Sequence, residues 1–133
     1  MKQFRNTPYY VTEDGDVLKH MPEISWETNH SVNGKVYTYT KTRKEYFRKL
    51  KPGIQSAGYK QVVLHDGFDK PTNFRIHRLV AELYVNGYFE DAHVDHIDCN
   101  KLNNHYTNLQ WCTKEYNHQK ADKLDYPLFC QIE

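Results

Sequence analysis

The 133-residue chain is short of several things. No stretch approaches the roughly 18 apolar residues that span a bilayer, and the opening MKQFRNTPYY lacks the apolar segment of a secretory signal. The expectation is a cytoplasmic protein with no membrane association. Cysteine is scarce: Cys99, Cys112 and Cys130 are an odd set without a CxxC pair, which argues against a disulfide framework and against a closed four-ligand zinc site. Apolar residues make up only 38% of the chain, and the length holds one compact core rather than two. Internal repeats and low-complexity segments are absent, and the net charge is only +1.

That small charge conceals an uneven distribution. Lys35, Lys41, Arg43, Lys44, Arg48, Lys49, Lys51 and Lys60 face the single acid Glu45 within one segment, interleaved with Tyr37, Tyr39, Tyr46, Phe47 and Tyr59. Such a stretch fits a solvated face and equally a surface lying along a phosphate backbone. Farther on, Glu90, Asp91, Asp95 and Asp98 form an acidic cluster, which a DNA-binding surface would carry only with a cation to neutralise it.

Periodicity predicts an α+β chain. YYVTEDGDVLKH reads as two short strands about an Asp14-Gly15 turn, Met21 to Gly34 as irregular, and GKVYTYTKT as an alternating strand. After the break at Lys51-Pro52-Gly53 come a strand, a turn at Asp66-Gly67, and a second strand running directly into a helix over about 75–86. Ile76, Leu79, Val80, Leu83 and Tyr84 place one apolar stripe on that helix, and Asn86-Gly87 is its expected stop. HVDHI then reads as a strand, Asp98 to Asn108 as a long polar loop, Leu109 to Cys112 as a strand, and Thr113 as the cap of a helix reaching about Asp122. The tail YPLFCQIE has apolar residues enough to pack back on the domain.

Asp95 and His96 are neighbours, and strand neighbours point to opposite faces, so both serve one site only if the strand ends or twists there. Asn117, about a turn into the last helix, would lie opposite Asp95. Two such oxygen ligands suit a hard cation such as Mg2+, and a neutral His96 could take a proton from water for attack on phosphorus. Against this stands the plainer reading that an Asp-His pair in a strand is structural. Asn108 fits a loop-bridging residue, Trp111 the core, and His105 and His118 exposed or phosphate-facing positions.

The stretch HVDHIDCNKLNNHYTNLQWCTKEYNHQKA resembles the motif of HNH endonucleases, and LKPGIQSAGYKQVVLHDGFDKPTNFRIHRLVAELYV resembles what precedes it in phage-type HNH homing endonucleases. Together they cover roughly Leu50 to Ala121. The resemblance implies a ββα-metal core over 89–122, preceded by a β-hairpin-rich scaffold that contacts DNA over 1–88 and followed by a tail over 123–133. It further implies Asp95 and Asn117 as metal ligands (His118 being the lesser alternative to Asn117), His96 as general base, Asn108 as the residue that ties the loop, and Mg2+ or Mn2+ as the metal. Lys41, Arg43, Lys44, Arg48, Lys49, Lys51, Lys60, Lys114 and Lys120 are the expected contacts to double-stranded DNA. Cys99 departs from the Gly common in this turn. No helix-turn-helix module follows Ala121, which implies looser site specificity or a recognition partner.

The expected activity is metal-dependent nicking or double-strand cleavage of DNA in a bacterial or phage-infected host cell. One site per chain cuts both strands only as a dimer. The alternatives are a DNA-binding protein that keeps the fold without turnover, and a zinc-stabilised interaction module using Cys99, Cys112 and histidines.

Overall fold

The computed structural model describes residues 1–123, with side chains through Lys120, so the tail YPLFCQIE and Cys130 lie outside the described residues. The order is β1 (Lys2–Gln3), β2 (Tyr9–Val11), β3 (Val17–Met21), β4 (Ile24–Val32), β5 (Lys35–Arg43), β6 (Tyr46–Lys49), β7 (Gly53–Ile54), β8 (Lys60–Leu64), β9 (Thr72–Arg75), α1 (Ile76–Tyr84), β10 (His93–His96), β11 (Leu109–Cys112) and α2 (Lys114–Lys123). The architecture is α+β. Every strand pairing among the described residues is antiparallel.

The core gathers around α1. Ile76, Leu79, Val80 and Ala81 are buried against Phe4, Tyr9, Val11 and Val17 from the first sheet, Val62 and Leu64 from β8, and Val94 and Leu109 from the β10–β11 pair. Leu83 and Tyr84 complete the stripe at its edge. Each aliphatic side chain buried here contributes about 1.5–3 kcal/mol. One helix thus joins all three layers.

Two expectations need correction. The helix does not run to Asn86-Gly87: it stops at Tyr84, and Val85 is already extended at φ −104° and ψ 122°. There the indole of Trp111 donates to the Val85 carbonyl at 3.0 Å, drawing the chain toward β11. Nor is the segment from Met21 to Gly34 irregular. Nine of its residues form β4, which pairs along its full length with the nine residues of β5. The turn is Asn33-Gly34, with φ of 51° and 77°, the left-handed pair that a two-residue hairpin demands and that Asn-Gly tolerates.

This β4–β5 ribbon is a two-stranded sheet of its own, exposed on both faces except at Thr28 and Arg43, which are half-buried. It is inserted in another hairpin, because Met21 at the end of β3 pairs directly with Tyr46 at the start of β6. The body therefore closes without it. Replacing residues 22–45 by Asn-Gly is expected to leave the thermal midpoint within about 4 °C of the parent, since only surface contacts are lost. A collapse of cooperative unfolding, followed by circular dichroism, would show that the ribbon belongs to the core.

Candidate active site

The β10–β11 hairpin carries a long loop folded around one carboxylate. Asp98 accepts hydrogen bonds from the Asn100 backbone N–H at 2.8 Å and from the Asn103 and Asn108 amides at 2.9 Å each. Asn108 also donates to the Asn103 carbonyl at 2.9 Å and accepts from the Asp98 N–H at 3.1 Å, so one side chain ties both ends of the loop. Burial alone would raise the Asp98 carboxyl, but these donors outweigh it and hold the group below the ordinary carboxylate value. Cys99 pays for the sharp turn by standing at φ 63°, a left-handed conformation that favours glycine.

The loop makes His96 the last residue of β10, and beyond it Ile97 N–H bonds to the Asn108 carbonyl at 2.8 Å. Asp95 and His96 are both buried, yet both border one cavity of about 170 Å3 shared with Tyr59, Cys99, Lys101, Asn117, His118 and Lys120. Strand neighbours thus reach the same space where the strand ends. Asn117 and His118 both border it, and the Asn117 amide makes a long 3.5 Å contact with His93 Nδ1.

Sequence reasoning missed Asn104. It is buried, and its Oδ1 lies 2.9 Å from His96 Nε2. A carbonyl oxygen only accepts, so Nε2 carries the hydrogen and Nδ1 is left with its lone pair. The Asn103-Asn104 pair was the available signal, but nothing in its spacing separates the residue that holds Asp98 from the one that holds His96. Asn104 is fixed in turn by Gly15, where an added Cβ would stand 2.8 Å from Ile76 Cγ2 and 3.1 Å from Asn104 Cβ. The Tyr106 N–H also bonds to the Glu13 carbonyl at 3.0 Å, so the first hairpin turn braces the loop.

Rings close the other sides of His96. Tyr59 stacks on it at 5.9 Å between centroids and 27° between planes, and His77 of α1 lies 4.9 Å away. Arg75 and Lys101 sit over the Tyr59 ring at 5.1 and 4.9 Å. Burial pushes His96 below its ordinary value, against the opposing pull of Asn104, Asp95 and Asp98, which favours a neutral imidazole. His77, only 4% exposed, is driven down to about 3 by burial, helped by His96, Arg75 and Arg78. Its Nδ1 has no hydrogen-bond partner among the described residues.

The basic residues are not equivalent. Lys41 and Arg43 lie on β5, Arg48 and Lys49 on β6 and Lys60 on β8, while Lys44, Lys51 and Lys114 are exposed. Lys120 is different: its ammonium lies 2.9 Å from Asp95 Oδ1 and 3.0 Å from Oδ2, with only 10% of its side chain exposed. It is a buried partner of Asp95 rather than a surface cation. Among the described residues no three His, Cys, Asp or Glu side chains are arranged to hold a metal.

Residues 74–119 match the sequence model of the HNH endonucleases. Over that segment the chain is similar to the HNH endonucleases. It is 44% identical over 70 residues to DNA endonuclease I-HmuI of Bacillus phage SP01, covering 53% of this chain and 40% of that protein. An uncharacterized HNH endonuclease of Acanthamoeba polyphaga mimivirus is 37% identical over 89 residues, covering 64% of this chain and 27% of its own length. A solved structure concerning DNA binding and cleavage by the HNH homing endonuclease I-HmuI superposes with a TM-score of 0.60 at 31% identity, covering 88% of this chain and 53% of that one. The chain thus spans about half or less of the relatives it matches.

Two outcomes follow for the loop after β10 and its surroundings. Cys99→Gly is expected to stabilise the protein by about 1 kcal/mol through relief of left-handed strain, read by urea denaturation; a loss of stability would show that the thiol's contacts outweigh the strain. For His77, the folded value near 3 lies below the unfolded 6.5, so only the unfolded chain takes up that proton in between. Its contribution is fully present above about pH 6.5 and is lost as pH falls toward 3. His77→Phe should therefore flatten the decline in urea stability between about pH 6.5 and 4, and an unchanged slope would assign that decline to other groups.

Proposed function

We propose that the chain is a metal-dependent HNH endonuclease that hydrolyses phosphodiester bonds of double-stranded DNA. The observation that supports it best is the convergence of Asp95, His96 and Asn117 on one cavity, with His96 held by Asn104 so that Nδ1 is free to accept a proton. HNH nucleases as a class depend on divalent metal. Here a buried carboxylate and a nearby amide supply oxygen donors, which fit a hard cation better than zinc.

Asp95 and Asn117 would hold Mg2+ or Mn2+, which when bound neutralises charge developing on the scissile phosphate and the leaving 3′-oxygen. Asn117 is preferred to His118 for the same reason, as the harder ligand. The remaining work falls to the chain. His96 Nδ1 takes the proton of a water as its oxygen bonds to phosphorus and the P–O3′ bond breaks. The resulting imidazolium is steadied by its Nε2–H bond to Asn104 and by the carboxylates of Asp95 and Asp98. Asn108 acts through the loop, keeping Asp98 and the end of β10 in place.

DNA is held by surfaces outside the cavity. The β4–β5 ribbon has the width of a two-stranded element that a major groove admits, and it carries Lys41 and Arg43 beside the exposed Trp26, Tyr37 and Tyr39. Arg48, Lys49, Lys51, Lys60, Lys44 and Lys114 supply further phosphate contacts. A role in homing follows the similarity to phage relatives, and a double-strand break would need two chains.

Plasmid relaxation with Mg2+ or Mn2+ tests this reading. The parent should give open circles or linear product, and His96→Ala should lower the rate by about 10²–10⁴-fold while DNA affinity in a mobility-shift assay stays within about twofold. Cutting by His96→Ala at the parent rate would remove His96 as the base. A mobility shift by the parent without any scission would instead favour a DNA-binding protein that keeps the fold without turnover.

A further inference from the structure

Asp95 does not wait in an open cavity. The Lys120 ammonium bridges both of its oxygens at 2.9 and 3.0 Å, and also donates to the His96 carbonyl at 2.8 Å and the Ile97 carbonyl at 3.3 Å. The Gln110 amide donates to Asp95 Oδ2 as well, at 2.8 Å. Four oxygens from three consecutive residues thus surround one amine at hydrogen-bond distance. Lys120 lies three positions after Asn117 on α2, on neighbouring parts of one helix face, so the amine and the amide enter the cavity together.

We propose that Lys120 is an internal occupant of the metal position: its ammonium neutralises Asp95 in the metal-free protein, and a divalent cation enters by displacing it. This rests on the reading of Asp95 as a metal ligand. A divalent cation of the Mg2+ type needs an oxygen at about 2.0–2.1 Å, which an ammonium already lodged against both carboxylate oxygens prevents. A buried carboxylate left alone is costly, so a protein that must survive without metal gains from a cation of its own. The long lysine stem allows that cation to withdraw without moving the helix. Lys120 therefore weakens metal affinity and protects the empty site.

The test measures Mn2+ binding to the full chain without DNA, by loss of the free-ion electron paramagnetic resonance signal. Lys120→Met and Lys120→Gln should each bind Mn2+ at least about tenfold more tightly than the parent. In EDTA both should melt at lower temperature than the parent, and Mn2+ should raise their midpoints more than it raises the parent's. In the unmutated protein, the Lys120 ammonium resonance should be protected from exchange in EDTA and lose that protection on addition of Mg2+, which tests the exchange even where a variant fails to fold. Affinity equal to or below the parent's in folded variants, or an ammonium signal that Mg2+ leaves protected, would overturn the proposal. Asp95→Asn separates the two levels: if it binds Mn2+ like the parent, the metal reading of Asp95 itself fails, whereas loss of binding there with unchanged affinity at Lys120 overturns only the occupant role.

Discussion

The Asp98 carboxylate is the knot on which the site depends. Three donors converge on it, and Asn108 reaches from the end of the loop back to its beginning. Without that closure, residues 97–108 would be a polar connection whose entropy opposes any fixed geometry. With it, β10 ends at His96 and the next residues turn away. The end of the strand lets Asp95 and His96 border one cavity, and the chain returns in register so that α2 brings Asn117, His118 and Lys120 to the same place.

The rest of the body supports this knot from behind. α1 supplies His77 as one wall of His96, and the Gly15 turn presses against Asn104. A loop of this kind would be weak alone, because its bonds are mostly between polar groups that water could satisfy equally well. Packing on a shared core makes the polar arrangement persist. The ribbon stands apart from this support, being an insertion between paired residues Met21 and Tyr46, and it is free to serve binding.

What could be read in the sequence follows from how each element is stabilised. The stripe of α1 was legible because burial drives it, as was the strand, loop, strand and helix order from β10 to α2. β4 was not, because ISWETNHSV packs against no second layer and so shows no alternation between buried and exposed positions. Its only sequence mark was Asn33-Gly34. The helix end was misplaced because a tertiary contact, Trp111 to the Val85 carbonyl, competes with the Asn-Gly stop. The role of Asn104 was hidden beside a like residue, Asn103, and Lys120 was read as a DNA contact because a lysine on a polar helix carries no mark of its burial against Asp95.

The central claim is that the loop presents His96 as a neutral base with Nδ1 unprotonated. The direct measurement is long-range proton–nitrogen correlation of the histidine side chains near neutral pH, with His96 assigned by its absence in His96→Ala. The account predicts a protonated Nε2 bonded to Asn104 and a bare Nδ1, and it predicts that Asn104→Ala mixes the two tautomers. A hydrogen on Nδ1 in the unmutated protein would contradict it.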